Sequence, residues 1–266
     1  MRERPWAAGP VQPDGIGMIL PPDMALDHEL RRWAPADVSL LCTRTPYTGL
    51  PVSVEMAERL GDPMALSLAV RDLAASAPAV YAYGCTSAAF VHGTGGERLL
   101  VDAMLAAGAP AAFTAAGALR RALAHLGVRR VAVATPYDLD VTERLRAYLA
   151  ECRVEVVSSA HLGMAGGIWA VPYSTTADLV MSADHVGAQA VVISCTNLPT
   201  YDVIAPLEAA LGKPVVTANQ ATMWAALRAI GRSAVGPRQR LLAARRAPGP
   251  RTRRHPLRGS TTPAAV

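Results

Sequence analysis

The sequence predicts an α/β protein of two Rossmann-like lobes, each on a parallel sheet, related by a pseudo-twofold with the site in the crevice between them. Three observations predict it. Short apolar runs alternate with helical stretches across short connections, the pattern of repeated βα units. The runs are continuously apolar rather than alternating, as strands covered on both faces by helices must be. One stretch recurs: Tyr81-Ala82-Tyr83-Gly84-Cys85-Thr86-Ser87 is echoed by Val191-Val192-Ile193-Ser194-Cys195-Thr196-Asn197. In both, an apolar run ends in a small residue followed by Cys, Thr and a small polar residue.

The elements follow in order. Residues 1–14 are Pro-rich and charged and read as a flexible N-terminus. Gly15 to Leu20 is a first strand stopped by Pro21-Pro22, and Asp23 to Trp33 a helix with Asp23 as N-cap. Val38 to Thr43 is a strand, and Tyr47 to Pro51 a loop placed to overhang a site. A helix from Val54 breaks near Gly61-Asp62-Pro63 and resumes to Ala75. Ala79 to Tyr83 is the strand that delivers Cys85. His92-Gly93-Thr94-Gly95-Gly96 lacks the lysine of a phosphate loop and reads as a surface loop before a helix over Glu97 to Ala107. Pro110 to Thr114 is a strand, and Ala115 to Leu126 a helix ended by Gly127.

The second half repeats the scheme. Val131 to Thr135 is a strand with Tyr137 just beyond it, and Asp138 to Leu149 an amphipathic helix. Val154 to Ser158 is a strand and Leu162 to Ala170 a Gly-rich loop. A helix over Ser174 to Val186 is expected to be capped by Ser174 or Thr175. Ala190 to Ser194 is the strand before Cys195. Val203 to Leu211 is a helix ended by Gly212, Lys213 to Thr217 the last strand, and Asn219 to Ile230 the last helix. Residues 15–231 thus form the two-lobed body. From Arg232 to Val266 there are nine Arg, five Pro and no Asp or Glu, which reads as a disordered tail over 232–266.

That tail also explains the charge. The whole chain carries a formal +5, yet residues 1–231 hold 17 Lys and Arg against 21 Asp and Glu. A basic nucleic-acid-binding body is therefore not expected. No apolar run approaches the roughly 20 residues of a membrane span, and the N-terminus lacks an apolar signal core, so a cytoplasmic location without membrane contact is expected. Cys42, Cys85, Cys152 and Cys195 form no CxxC pair and no cluster with zinc spacing, so no metal is expected and the thiols are expected free.

A lone buried Cys is most often a small core hydrophobe, the reading that suits Cys42 and Cys152. Cys85 and Cys195 differ because each sits at the carboxyl end of a predicted strand, where open α/β sheets place ligands. The neighbouring hydroxyls, amide and backbone N–H groups make each turn a cradle for a carboxylate. The pattern points to a small carboxylate held between two facing thiols.

Four stretches also carry a family resemblance: Tyr83-Gly84-Cys85-Thr86-Ser87, Val133-Ala134-Thr135-Pro136-Tyr137, Ser194-Cys195-Thr196, and Leu211 to Gln220. In this order they resemble the aspartate/glutamate racemase superfamily, in the branch holding maleate cis-trans isomerase, arylmalonate decarboxylase and the ectoine-utilisation proteins. The resemblance implies catalysis without cofactor or metal, a site at the lobe interface, and homo-oligomers. It puts Cys85 and Cys195 on the catalytic thiols and Tyr137 on a carboxylate-binding tyrosine. Thr86, Ser87, Thr196 and Asn197 fall on the carboxylate-binding turns, and Pro22 in the loop that covers the substrate. There are departures. Met24 stands where maleate isomerases have an asparagine, and Gly166-Gly167 where they have another. Pro21-Pro22 is more like the decarboxylase, which carries a glycine where this chain has Cys85.

Two thiols leave two reactions open. In cis-trans isomerisation one thiolate adds to a double bond and the other Cys gives and takes a proton; by resemblance Cys85 is the nucleophile and Cys195 the acid/base. In amino-acid racemisation one Cys removes an α-proton and the other reprotonates the opposite face. The second thiol disfavours simple decarboxylation. A small-carboxylate binding protein is the non-enzyme alternative, which needs neither thiol.

Overall fold

A computed structural model describes residues 14–244. Strands β1 (Asp14–Leu20), β2 (Val38–Arg44), β3 (Val80–Tyr83) and β4 (Ala112–Thr114) form one parallel sheet in the order β2-β1-β3-β4. Strands β5 (Arg130–Thr135), β6 (Glu155–His161), β7 (Ala190–Ile193) and β8 (Val215–Thr217) form a second in the order β6-β5-β7-β8. The second order is the first shifted by four strands, as the repeated motif requires. All pairings are parallel, so each strand returns through a crossover, here helical. The inner strands β3 and β7 are buried along their whole length, whereas the edge strand β6 is half-exposed. That contrast is why the inner strands read as unbroken apolar runs.

The strand order reverses direction at β1/β3 in one sheet and at β5/β7 in the other. Ligands of open α/β sheets bind beyond the carboxyl ends at such switch points. Those four ends carry Pro21, Cys85, Tyr137 and Cys195. Helices α6 (Ala115–Leu126) and α10 (Ala218–Ala229) follow the last strand of each half and pack against one another across the lobes. Each is opened by a threonine, Thr114 or Thr217, whose hydroxyl accepts an N–H from the first turn. Both are rich in alanine, which lets their backbones approach closely.

Most boundaries match the expected ones, and three differences have physical causes. Helix α1 begins at Asp27, not Asp23 (α1, Asp27–Trp33), because residues 21–26 are held as a loop by Asn197: Ala25 N–H donates to Asn197 Oδ1 at 3.1 Å, and Asn197 Nδ2 to the Asp23 carbonyl at 2.9 Å. The glycines after His92 are helical, the start of α5 (Gly93–Ala106), because a distant carboxylate caps it: Thr94 N–H donates to Glu151 Oε2 at 2.8 Å. Helix α8 (Tyr173–Ala183) starts at Tyr173, without the Ser174 or Thr175 cap.

The tail is the larger correction. Residues 232–244 are not disordered but pack on the body. Arg232 bridges Asp14 and Asp37, and Arg240 N–H donates to buried Glu208 at 2.8 Å. Gln239 is buried and accepts from Trp33 Nε1 and Gln220 Nε2, both at 2.9 Å, while Leu241 on α11 (Arg240–Ala243) is fully buried. Composition marks such a segment as solvent-loving, but its partners lie far away in sequence. The expectations for 1–13 and 245–266 lie outside the described residues. Among the described residues, no helix is long and apolar enough to cross a membrane.

Candidate active site

Strand β3 ends at Tyr83, and Gly84 then passes so close to β1 that a Cβ there would lie 2.7 Å from Leu20 Cδ2. Cys85 follows as the N-cap of the short helix α4 (Thr86–Phe90). Strand β7 ends at Ile193 and delivers Cys195 two residues on, as β3 delivers Cys85, but into a turn instead of a helix. Both thiols are buried, and both line one small cavity together with Thr86, Ser87, Tyr137, Thr196 and Asn197. Among the described residues no group of three or more potential metal ligands converges.

The two turns are bound to each other across the lobes. Thr86, from the first lobe, shares a 2.9 Å hydrogen bond with the Tyr137 hydroxyl of the second. Thr196, from the second, donates to the Gly84 carbonyl of the first at 2.7 Å. The Thr196 hydroxyl proton is therefore spent on the protein, and the Asn197 amide is spent on the 21–26 loop. Tyr137 and Thr86 spend one proton on each other, so this pair keeps one hydroxyl proton, beside that of Ser87, for a carboxylate in the cavity.

Burial sets the protonation states. It raises the Cys195 thiol to about 12, against the pull of hydrogen bonds from Tyr137 and the Asn197 N–H. It raises Cys85 as well, offset by the Ala88 N–H and by Ser87, whose hydroxyl lies 3.6 Å from the sulfur. Each thiol is therefore protonated at neutral pH in this closed site. Burial also holds the Tyr137 phenol well above its usual range, so it remains a hydrogen-bond donor.

The cavity is closed from above. The apolar wall is Val52, Met56, Leu60 and Ile168, and the Val52 N–H donates to the Ala165 carbonyl at 2.9 Å, joining a first-lobe loop to the Gly-rich loop of the second. The cavity left between them is small, about 20 Å³.

Pro22 does not line the cavity; Pro21 and Asp23 do. The Pro21 carbonyl accepts from Met24 N–H at 3.3 Å, which makes Pro22 the outer corner of a turn. Asp23, expected as a helix cap, instead brings a carboxylate to the cavity rim and disfavours ionisation of both thiols. Ile168 lines the pocket, whereas Trp169 beside it faces solvent.

Sequence reasoning also missed Glu29. It is buried on α1 and accepts the N–H groups of Thr200 at 2.9 Å and Tyr201 at 2.8 Å, the start of α9 (Tyr201–Leu211) in the other lobe. Tyr173 donates to it at 3.1 Å, and Asn219, 3.5 Å away, also holds the Thr196 carbonyl at 2.8 Å. One first-lobe carboxylate thereby fixes the chain that leaves Cys195. A charged residue among the apolar positions of α1 was the one available sign.

Known proteins resemble this chain in sequence and fold. The sequence model of the arylmalonate decarboxylase family matches residues 62–242. The arylmalonate decarboxylase of Bordetella bronchiseptica is 33% identical over 223 residues, spanning 81% of this chain and 90% of that protein. The chain belongs to the arylmalonate decarboxylase family. A maleate isomerase of Pseudomonas putida is 34% identical over 167 residues, 59% of this chain and 66% of that enzyme. Among solved structures, a doubly substituted arylmalonate decarboxylase in its liganded form aligns with a TM-score of 0.80 at 30% identity, covering 86% of this chain and 98% of that one. The maleate isomerase of Pseudomonas putida S16 with maleate aligns with a TM-score of 0.78 at 24% identity over 87% and 98% of the two chains, a likeness of fold. The family thus spans decarboxylase and isomerase relatives on one scaffold.

Proposed function

We propose that this family member is a cofactor-independent isomerase that uses Cys85 and Cys195 on a small unsaturated carboxylate. The observation that carries the reading is the placement of two buried thiols, from equivalent turns of the two lobes, on one cavity. Binding alone needs neither thiol.

In the proposed cycle the fraction of enzyme that has already released the Cys85 proton to solvent reacts, and the Cys85 thiolate adds to one carbon of the double bond. The π electrons move to the neighbouring carbon and spread into the carboxylate, where Tyr137 and the hydroxyls of Thr86 and Ser87 hold the charge that develops. Cys195 gives that carbon its proton. The carbon–carbon bond is then single and rotates. Cys195 takes the proton back, the double bond re-forms, and Cys85 leaves as the thiolate. Each turnover starts and ends with one thiolate and one thiol. The role of Cys195 fits its pKa of about 12, which keeps it protonated until the substrate carbon demands the proton.

A second reading is decarboxylation, favoured by the 33% identity to the Bordetella bronchiseptica enzyme over nine-tenths of its length. There one protonated thiol, Cys195, delivers a proton to the carbanion left by carbon dioxide, and Cys85 is surplus.

The test is proton NMR of the purified protein in D₂O, with maleate, aspartate, glutamate and a phenylmalonate in separate tubes. Conversion of maleate to fumarate supports isomerisation. Loss of carboxylate from the phenylmalonate without maleate turnover overturns it in favour of decarboxylation, and exchange at an amino-acid α-carbon overturns it in favour of racemisation.

A further inference from the structure

Among the described residues, the cavity between the two cysteine turns is lined by no Lys, Arg or His, and Asp23 is its one charged side chain. Arg44 on the neighbouring strand does not relieve this charge, because it is spent on Asp27 at 2.8 Å and on the Met24 carbonyl at 3.0 Å. Asp23 also removes a donor. Asn197 Nδ2, the amide that would meet a carboxylate on that side, donates to the Asp23 carbonyl at 2.9 Å and to its Oδ2 at 3.3 Å. The Tyr137–Thr86 pair keeps one hydroxyl proton and Ser87 another, enough for one carboxylate. The cavity therefore combines hydroxyl donors with one negatively charged acceptor.

We propose that Asp23 sets the charge of the substrate, so that the site takes a small monoanion whose far end is an uncharged hydrogen-bond donor, such as an amide, and discriminates against dianions. This rests on the reading that a substrate carboxylate binds between the cysteine turns. Among the described residues no cation lines the cavity beside Asp23, so a second carboxylate there meets a like charge, whereas an amide N–H₂ meets an acceptor. The disfavoured ionisation of both thiols is a sign of the same field. Asp23 is exposed, so solvent screens it. For unit charges roughly 6 Å apart this puts the discrimination at the lower end of the Coulomb range, about three- to tenfold.

The test uses succinate and its monoamide succinamate, which match in shape and differ in charge, as protectors against alkylation by the neutral reagent iodoacetamide. Modification of Cys85 and Cys195 is read by peptide mass spectrometry, with exposed Cys42 as internal control. In the wild type, succinamate is expected to protect at a roughly three- to tenfold lower concentration than succinate, and added salt narrows that ratio. In Asp23→Asn the ratio falls towards one and loses its salt dependence. Because the ratio is taken within one protein, a change in thiol reactivity does not move it. An unchanged ratio in Asp23→Asn, or a wild-type ratio near one at low salt, overturns the role of Asp23 and leaves the carboxylate site standing. Protection by neither compound overturns both.

Discussion

Replacing Glu29 tests how the site is held together. Its carboxylate accepts the N–H groups of Thr200, the residue before α9, and of Tyr201 at 2.9 and 2.8 Å, both buried, and the half-buried Tyr173 hydroxyl at 3.1 Å. Glu29→Ala leaves two helix-end N–H groups without acceptors, at about 1–3 kcal/mol each where buried, and removes what serves as the N-cap of α9. The expected loss of unfolding free energy is about 3–5 kcal/mol. Glu29→Gln keeps one acceptor oxygen and is expected to lose about half as much. Urea unfolding with linear extrapolation measures both. Because Asn219 links this carboxylate to the Thr196 carbonyl, Glu29→Gln is also expected to lower kcat more than it raises KM and to speed alkylation of Cys195 relative to Cys85. A loss below about 1 kcal/mol in Glu29→Ala would refute the view that this carboxylate clamps the lobes.

Other consequences are open to measurement. Burial raises both thiols, so the ionised partner that isomerisation needs is scarce at neutral pH; kcat/KM is expected to keep climbing as pH rises beyond the ordinary thiol range, whereas a decarboxylase relying on protonated Cys195 would decline as pH rises towards its pKa of about 12. Tyr137→Phe removes the hydroxyl that meets Thr86 at 2.9 Å and is expected to cost roughly 10²–10³ in kcat but only about 1 kcal/mol of stability by urea unfolding. Ending the chain at Gly231 strips buried Leu241 and the Gln239 partner of Trp33, an expected loss of about 2–4 kcal/mol in the same assay.

The strands were legible because a strand covered on both faces is a continuous apolar run, as β3 and β7 are. Helix ends fixed by neighbours were legible too: Asp138 accepts from Val141 N–H, and Gly127 and Gly212 take the left-handed conformation that ends α6 and α9. Ends fixed from a distance were not. Glu151 opens α5 from 57 residues away, Asn197 shortens α1 from more than 170, and Gln239 reaches Trp33 across 206. The site divides along the same line. The cysteine turns and Tyr137 follow apolar strands and could be placed by counting. Pro22 could not, since a one-residue difference in a turn decides whether Pro21 or Pro22 faces inward. Asp23 and Glu29 looked like ordinary helix charges; their roles exist only when the second lobe is folded against the first.

The central claim is that the two thiols act on one substrate, and it is tested by following, in D₂O, whichever compound the wild type converts, with Cys85→Ala and Cys195→Ala beside it. Each substitution alone is expected to abolish conversion while circular dichroism stays unchanged. Wild-type activity in a folded Cys85→Ala protein would reduce that residue to packing and leave a one-thiol enzyme; wild-type activity in Cys195→Ala would contradict the account altogether.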